Sequence, residues 1–302
     1  MGSLFKQIYR YTRPRAFRHN ENLWPYAKIS RAETGEIRSL SYKGVSIPLA
    51  GLSELKNHYQ GDVLLTATGP STKEMDFTVV PETLPVMGVN GAYVLQGQLQ
   101  YSLYIVVDME FYDRKPEMIT AIVSNPDILF FTTLHGVAKI YDRHPREAIK
   151  CKIALIEDAC YKIYQGKIAD DAKWHTYQGS NTAIFDEQNK KIGFSTDIRN
   201  GIFDAGTVVY WALQVLFFLG FKRIIISGLD MNNFHQPRFY ENDQTQLPSY
   251  LENKVENIVF PAFSLASRVL EQHGVYVFNL SQESAVPELI FKKVKLHVLF
   301  KQ

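Results

Sequence analysis

The chain has 302 residues, 46% apolar and 21% charged, with a formal net charge of +2. That length can bury one large core, and the composition excludes wholesale disorder. The near-neutral balance excludes nucleic acid as a partner held by bulk charge. No apolar run reaches the roughly 18 residues that a membrane-spanning helix needs.

Residues 1–28 hold six cations (Lys6, Arg10, Arg13, Arg15, Arg18 and Lys28) against one acid, Glu21. Phe5, Tyr9, Tyr11 and Phe17 are interleaved with them. Rings at headgroup depth with cations on anionic lipid suit a membrane interface, and a basic arm packed on the domain fits the same pattern. The C-terminus from Phe291 to Lys301 repeats the composition, which favours the membrane reading. The start lacks the apolar core of a signal peptide, so a cytoplasmic location is expected. Cys151 and Cys160 suit a reducing compartment without a disulfide framework.

Residues 35–50 read as a short hairpin, so 1–58 is expected to be an extension ahead of the main domain. Strands are predicted at 62–67, 85–90, 102–107, 127–132, 152–156, 222–227 and 275–279, all short apolar runs bounded by polar turns. Helices are predicted at 110–123, 205–219 and 251–273. The alternation predicts an α/β fold: a Rossmann-like, mostly parallel sheet with helices on both faces, over 59–290. Residues 157–203 break the alternation and read as an insertion, with a hairpin at 182–195 turning around Gln188–Lys190. Residues 291–302 read as a basic tail.

Ligands of doubly wound sheets bind beyond the C-terminal ends of the strands. The first such end is Thr68-Gly69-Pro70-Ser71, in the stretch Gly61–Ser71. Its turn amides can meet phosphate, although the spacing is neither GxGxxG nor a Walker loop. The next ends are Val89-Asn90-Gly91, Val107-Asp108 with Phe111, and Ser227-Gly228-Leu229-Asp230. Asp204 reads as the N-cap of the helix that follows, with Gly206 and Thr207 in its first turn. The positive end of that helix suits an anion. The long polar loop 231–250 offers His235, Arg238, Tyr240 and Glu241. His135, His144 and His175 read as exposed, and no HExxH or His/Cys spacing suggests catalytic zinc.

The ordered set ATGPS (67–71), VNGAY (89–93), Asp108 with Phe111, AGT (205–207) and SGLD (227–230) resembles the bacterial CMP-sugar sialyltransferases. It resembles more closely the lipopolysaccharide-core transferases that add a third 3-deoxy-D-manno-octulosonic acid (Kdo). These share Asp197-Ile198, Arg238-Phe239-Tyr240-Glu241, a segment like Leu247-Pro248-Ser249, and Asn279-Leu280-Ser281. The likeness spans about 60–290. It implies one glycosyltransferase domain, a variant of the GT-A fold, that uses CMP-Kdo with inversion and without metal or other cofactor. The acceptor implied is a lipid A-anchored core saccharide at the cytoplasmic face of the inner membrane.

By the same resemblance, the turn from Thr68 through Gly69, Pro70 and Ser71 contacts the nucleotide, and Asn90, Gly91 and Asp108 contact nucleotide or donor sugar. Gly206 and Thr207 meet the donor anion, Gly228 and Asp230 complete the pocket, and Tyr240 stabilises the leaving phosphate. Glu241 and Asp108 are the proton acceptors expected, with Asp230 and His235 behind them. Arg238 and His235 are expected to bind the acceptor. The chain departs from the sialyltransferase pattern at three places: Thr68 replaces an asparagine, Phe203-Asp204 replaces an arginine before the helix, and the catalytic histidine has no counterpart. A sialyltransferase is the alternative within the class. Outside it stand a Mg-dependent pterin pyrophosphokinase-like enzyme, with Asp108 and Asp230 on the metal, and a non-catalytic nucleotide-binding peripheral membrane protein.

Overall fold

The computed structural model describes residues 3–232, 234–241, 244, 246 and 251–300, so Leu247-Pro248-Ser249 lies outside the described residues. Among these, helix α1 (Ser3–Thr12) leads into an antiparallel sheet of β1 (Ala27–Arg31), β2 (Ile37–Tyr42) and β3 (Val45–Ile47). The expected hairpin is therefore two strands of a three-stranded unit. A one-turn helix α2 (Leu52–Leu55) then enters the main sheet.

The strands of that sheet are β4 (Asp62–Thr66), β5 (Val86–Val89), β6 (Leu103–Val106), β7 (Leu129–Thr132) and β8 (Lys152–Leu155). Beyond the insertion, which carries β9 (Ala183–Phe185) and β10 (Gly193–Ser195), come β11 (Arg223–Ser227), β12 (Tyr276–Asn279) and β13 (Lys292–Lys293). The order is β13-β12-β11-β4-β5-β6-β7-β8, and every neighbouring pair is parallel. The chain winds outward from β4 to β8 and then returns to β11 on β4's other side. The switch in winding direction therefore falls between β4 and β11, where such sheets open a crevice.

Side chains of each strand alternate between two cores. Val63, Leu65, Leu103, Ile105 and Phe131 pack with α7 (Val208–Leu219) and α8 (Phe260–Gln272). Leu64, Tyr104, Val106 and Phe130 pack with α4 (Pro116–Val123), α5 (Leu134–Arg143) and the three-stranded sheet. Both faces are covered, which is why the strands are apolar on both sides. The α7 sequence is apolar nearly all round, and ten of its twelve residues are buried.

Several expectations change. The helix expected at 110–123 is two, α3 (Met109–Arg114) and α4, because Pro116 excludes Lys115 from the helical region. The expected helix 251–273 runs through a 3₁₀ turn and a π turn before α8 begins beside Pro261. Helix α5 was not anticipated, since Gly136 weakens its helical signal and Thr133 supplies the cap. The short helices α6 (Lys173–Tyr177) and α9 (Leu296–Leu299) complete the set.

The terminal pieces are not detached. Arg31 pairs with Glu157 in the insertion at 2.5 Å, and the Tyr164 hydroxyl donates to the Ala27 carbonyl at 2.6 Å. The stretch expected as a tail from 291 begins with buried Phe291, and Lys292–Lys293 form the sheet's edge strand. An edge strand accepts lysines because one of its sides meets water.

Candidate active site

A cleft of about 470 Å³ opens at the C-terminal ends of β4, β5, β6 and β11. Its first wall is made by two turns fastened to each other. Ala67 and Gly69 donate to the carbonyls of Ser227 and Gly228, at 2.8 and 2.9 Å. The Asp230 carboxylate takes the Ser71 amide at 2.9 Å and the Ser71 hydroxyl at 2.5 Å, and that hydroxyl also meets Ser281 Oγ at 2.7 Å. A side chain at position 69 would collide with Asp230, so glycine is required there. Asp230 therefore holds the turn together, and Ser71 faces it rather than the cleft.

Asn90 sits at the end of β5 with φ at 44°, its carbonyl accepting the Tyr104 hydroxyl at 2.7 Å. Its side-chain oxygen is buried in the lining and meets no hydrogen-bond partner among the described residues. Asp108 caps α3 through the Glu110 amide at 2.8 Å, is exposed, and lines the cleft.

The opposite wall begins where α7 starts. The N-cap is Thr207, whose hydroxyl accepts the Val209 amide at 3.3 Å, and not Asp204 as the sequence suggested. Asp204 lies further back, taking the Gly206 amide at 3.1 Å and the Trp211 indole at 2.8 Å. Lys254 reaches this helix start from the turn before α8, its stem 3.5 Å from where a Gly206 side chain would begin. Arg199, the cation nearest in sequence, is elsewhere. It pairs with Asp197 at 2.6 Å, and Asp197 also takes Lys56 at 2.8 Å. Burial alone would raise the Asp197 carboxyl, but those two partners outweigh it and hold it below the usual range.

Loop residues 238–241 form the roof. Glu241 is buried, with one oxygen on Arg238 Nη1 at 2.8 Å and the other on the Arg238 amide at 3.0 Å. The Phe239 amide reaches the Thr68 carbonyl at 3.4 Å, which ties the roof to the first turn. The Tyr240 ring lies against Gly91, where any side chain would strike it. Burial is the largest influence on the Tyr240 hydroxyl and raises its pKa, so it stays protonated at neutral pH, within hydrogen-bonding reach of Glu241 and Arg238.

Thus Thr68, Gly69, Pro70, Asn90, Asp108, Gly206, Thr207, Gly228, Asp230, Arg238, Tyr240 and Glu241 come together around one cavity. Ser71 and Gly91 lie just behind its surface. His235 does not line it: its side chain is 87% exposed, 3.6 Å from Glu252. Lys254 and Trp211 were missed because only the packing of α8 and α7 brings them here. Among the described residues, no group of three or more His, Cys, Asp or Glu side chains could hold a metal. His135, expected to be exposed, is half-buried and donates from Nε2 to the His19 carbonyl at 2.9 Å.

Residues 48–296 match the family described as 3-deoxy-D-manno-octulosonic acid transferase WaaZ. A probable 3-deoxy-manno-octulosonic acid transferase of Salmonella typhimurium strain LT2 is 25% identical over 74% of this chain and 83% of its own length. One from Escherichia coli strain K12 is 23% identical, over 80% and 85%. Among solved structures, the Campylobacter jejuni sialyltransferase CstII in complex with cytidine-5'-monophosphate is 15% identical, covering 76% of this chain and 84% of that one at a TM-score of 0.40. The monofunctional alpha-2,3-sialyltransferase Cst-I from the same organism is 12% identical, covering 76% and 78% at 0.39.

Proposed function

The chain belongs to the 3-deoxy-D-manno-octulosonic acid transferase WaaZ family, and from that premise we propose that it moves Kdo from CMP-Kdo onto a lipid A-anchored core saccharide, with inversion and without a metal. The observation that carries the reading is that Tyr240, the start of α7 and Lys254 face one cavity. Together they supply a neutral hydroxyl donor, first-turn amides with the helix dipole, and a cation. A leaving CMP gains charge on one phosphate, and preorganised donors of this kind stabilise that charge as it develops.

Nucleotide recognition is assigned to the opposite wall. The unpaired Asn90 side-chain oxygen suits an exocyclic amine such as that of cytosine, since a buried acceptor left unmade is costly. Thr68 offers its hydroxyl to the nucleoside, on a turn that Asp230 fastens at Ser71. Asp108 contacts the donor sugar. Glu241, with both oxygens taken up at Arg238, fixes the roof instead of accepting a proton, and Arg238 presents its remaining surface to the cleft.

Calorimetric titration with CMP in a chelating buffer tests the donor side. Binding without divalent metal is expected, followed by CMP release when CMP-Kdo and core saccharide are supplied. ATP binding that needs Mg²⁺, with no CMP binding, overturns the reading in favour of a pyrophosphokinase-like enzyme.

The acceptor's lipid anchor places it at a bilayer surface, and we assign α1 to that surface at the cytoplasmic face of the inner membrane. No helix among the described residues is long and apolar enough to cross a membrane. However, Leu4, Ile8 and Tyr11 share one face of α1, and Leu4 and Tyr11 are 64% and 90% exposed. Lys6, Arg13, Arg15 and Arg18 lie in the same N-terminal stretch. Replacing Leu4, Ile8 and Tyr11 by serine is expected to weaken sedimentation with anionic liposomes at unchanged turnover on a soluble acceptor. Undiminished sedimentation removes this assignment.

A further inference from the structure

A second cavity of about 330 Å³ adjoins the cleft, with Val107 and Trp211 in the lining of both. It lies beyond the C-terminal ends of β7 and β8, lined by Thr133, His135, Asp158, Tyr161 and His19. Nothing in the donor reading uses it. Its walls combine two aromatic surfaces, Trp211 and Tyr161, with imidazole, hydroxyl and carboxylate groups, a mixture that suits a sugar ring.

The carboxylates around the junction of the two cavities are not equivalent. Asp204 spends both oxygens on Gly206 and Trp211. Glu157 spends both on Arg31, at 2.5 and 2.7 Å. Asp158 differs. One oxygen accepts the Cys160 amide at 2.6 Å, and the other, on a half-buried side chain, carries no hydrogen bond among the described residues. Its backbone, three residues beyond the end of β8, is tied by an isolated bridge to Ile202.

Resting on the donor reading above, we propose that the second cavity seats the acceptor sugar and that Asp158 accepts the proton of the attacking hydroxyl. In that step the acceptor oxygen bonds to the anomeric carbon while the carbon–phosphate oxygen bond breaks. CMP leaves with the electron pair, and the hydroxyl proton passes to the free Asp158 oxygen and then to water.

The electrostatics agree with this task. Burial pushes the Asp158 carboxyl up to about 7, with Asp204 and Asp170 adding to the rise and the Cys160 amide and Lys173 opposing it. Cys160 and Tyr177 also feel its charge, and both are held protonated, chiefly by burial. A base poised near the working pH is ionised enough to act and basic enough to take the proton. His135, by contrast, has its pKa lowered, mainly by burial, and spends Nε2 on the His19 carbonyl. Asp204, whose charge is felt at Asp158, lines the donor cleft.

The test is the pH dependence of kcat in the full chain, with CMP-Kdo and a soluble core saccharide. For the unaltered protein kcat should rise with pH through about 7, because the base works only when ionised. Asp158→Asn should lower kcat at least about 10²-fold and abolish that rise, with CMP affinity unchanged by calorimetry. Added formate should restore part of the turnover of Asp158→Ala. Tyr161→Ala should raise the acceptor KM about tenfold at nearly constant kcat.

A full-rate Asp158→Asn that keeps the rise overturns the base assignment, as does a rise lost in Asp108→Asn or His135→Asn instead. An acceptor KM unmoved in Tyr161→Ala overturns the seat. If the unaltered chain neither binds CMP nor transfers Kdo, the donor reading has failed, a result separate from any of these.

Discussion

The donor cleft and the cavity beside it share a tryptophan wall but handle charge in opposite ways. In the cleft nearly every carboxylate is already committed. Asp230 binds Ser71, Glu241 binds Arg238, and Asp204 binds Gly206 and Trp211. Besides the exposed Asp108, what remains lining the space is mostly donor character: Tyr240, the start of α7 and Lys254. In the second cavity a carboxylate, Asp158, keeps an oxygen uncommitted. A site that receives a departing anion must present donors. A site that deprotonates a hydroxyl must present an acceptor, and keeping the two apart prevents them from neutralising each other.

That contrast can be attacked from the cleft side. The largest effect is expected for Tyr240→Phe, which removes one preorganised donor from the leaving phosphate. We expect kcat to fall about 10²-fold, ~2.7 kcal/mol of transition-state stabilisation, while acceptor KM stays within threefold. A kcat lowered less than fivefold makes Tyr240 a packing residue against Gly91 and blurs the contrast. A smaller effect is expected for Lys254→Ala, since this cation is exposed and screened. Donor KM should rise about fivefold at low salt, with the difference shrinking as salt is added and acceptor KM unaffected. A salt-independent change, or one that falls on the acceptor instead, would mean that Lys254 serves the other cavity.

Much of the fold could be read from the chain. The strands are short apolar runs because both faces of the parallel sheet are covered, so each of the seven main segments announced itself by composition and by its bounding turns. The turn at Thr68–Ser71, Asn90, Asp108, the start of α7 and the Gly228–Asp230 turn were all legible as strand or helix ends, where such sheets place ligands. The roles within that list were less legible. Ser71 reads as a nucleotide contact until Asp230 is seen on both its amide and its hydroxyl. Asp204 reads as the N-cap until the Trp211 indole and the Gly206 amide claim it and Thr207 takes the cap. The pattern names the polar groups near a site, while packing decides which of them are spent on each other.

By itself the sequence determined the alternation of elements, the covered sheet, the positions of the strand ends and the family of transferases to which the chain belongs. These follow from local periodicity and from short motifs in a set order. Only the tertiary structure decided that Lys254 comes back to the start of α7, that the basic ends are an amphipathic helix and an edge strand, and that Asp158 lies beside the donor cleft with one oxygen unpaired. Those facts depend on contacts between residues far apart in the chain. The environment of a side chain, unlike its type, is set by what folding brings against it.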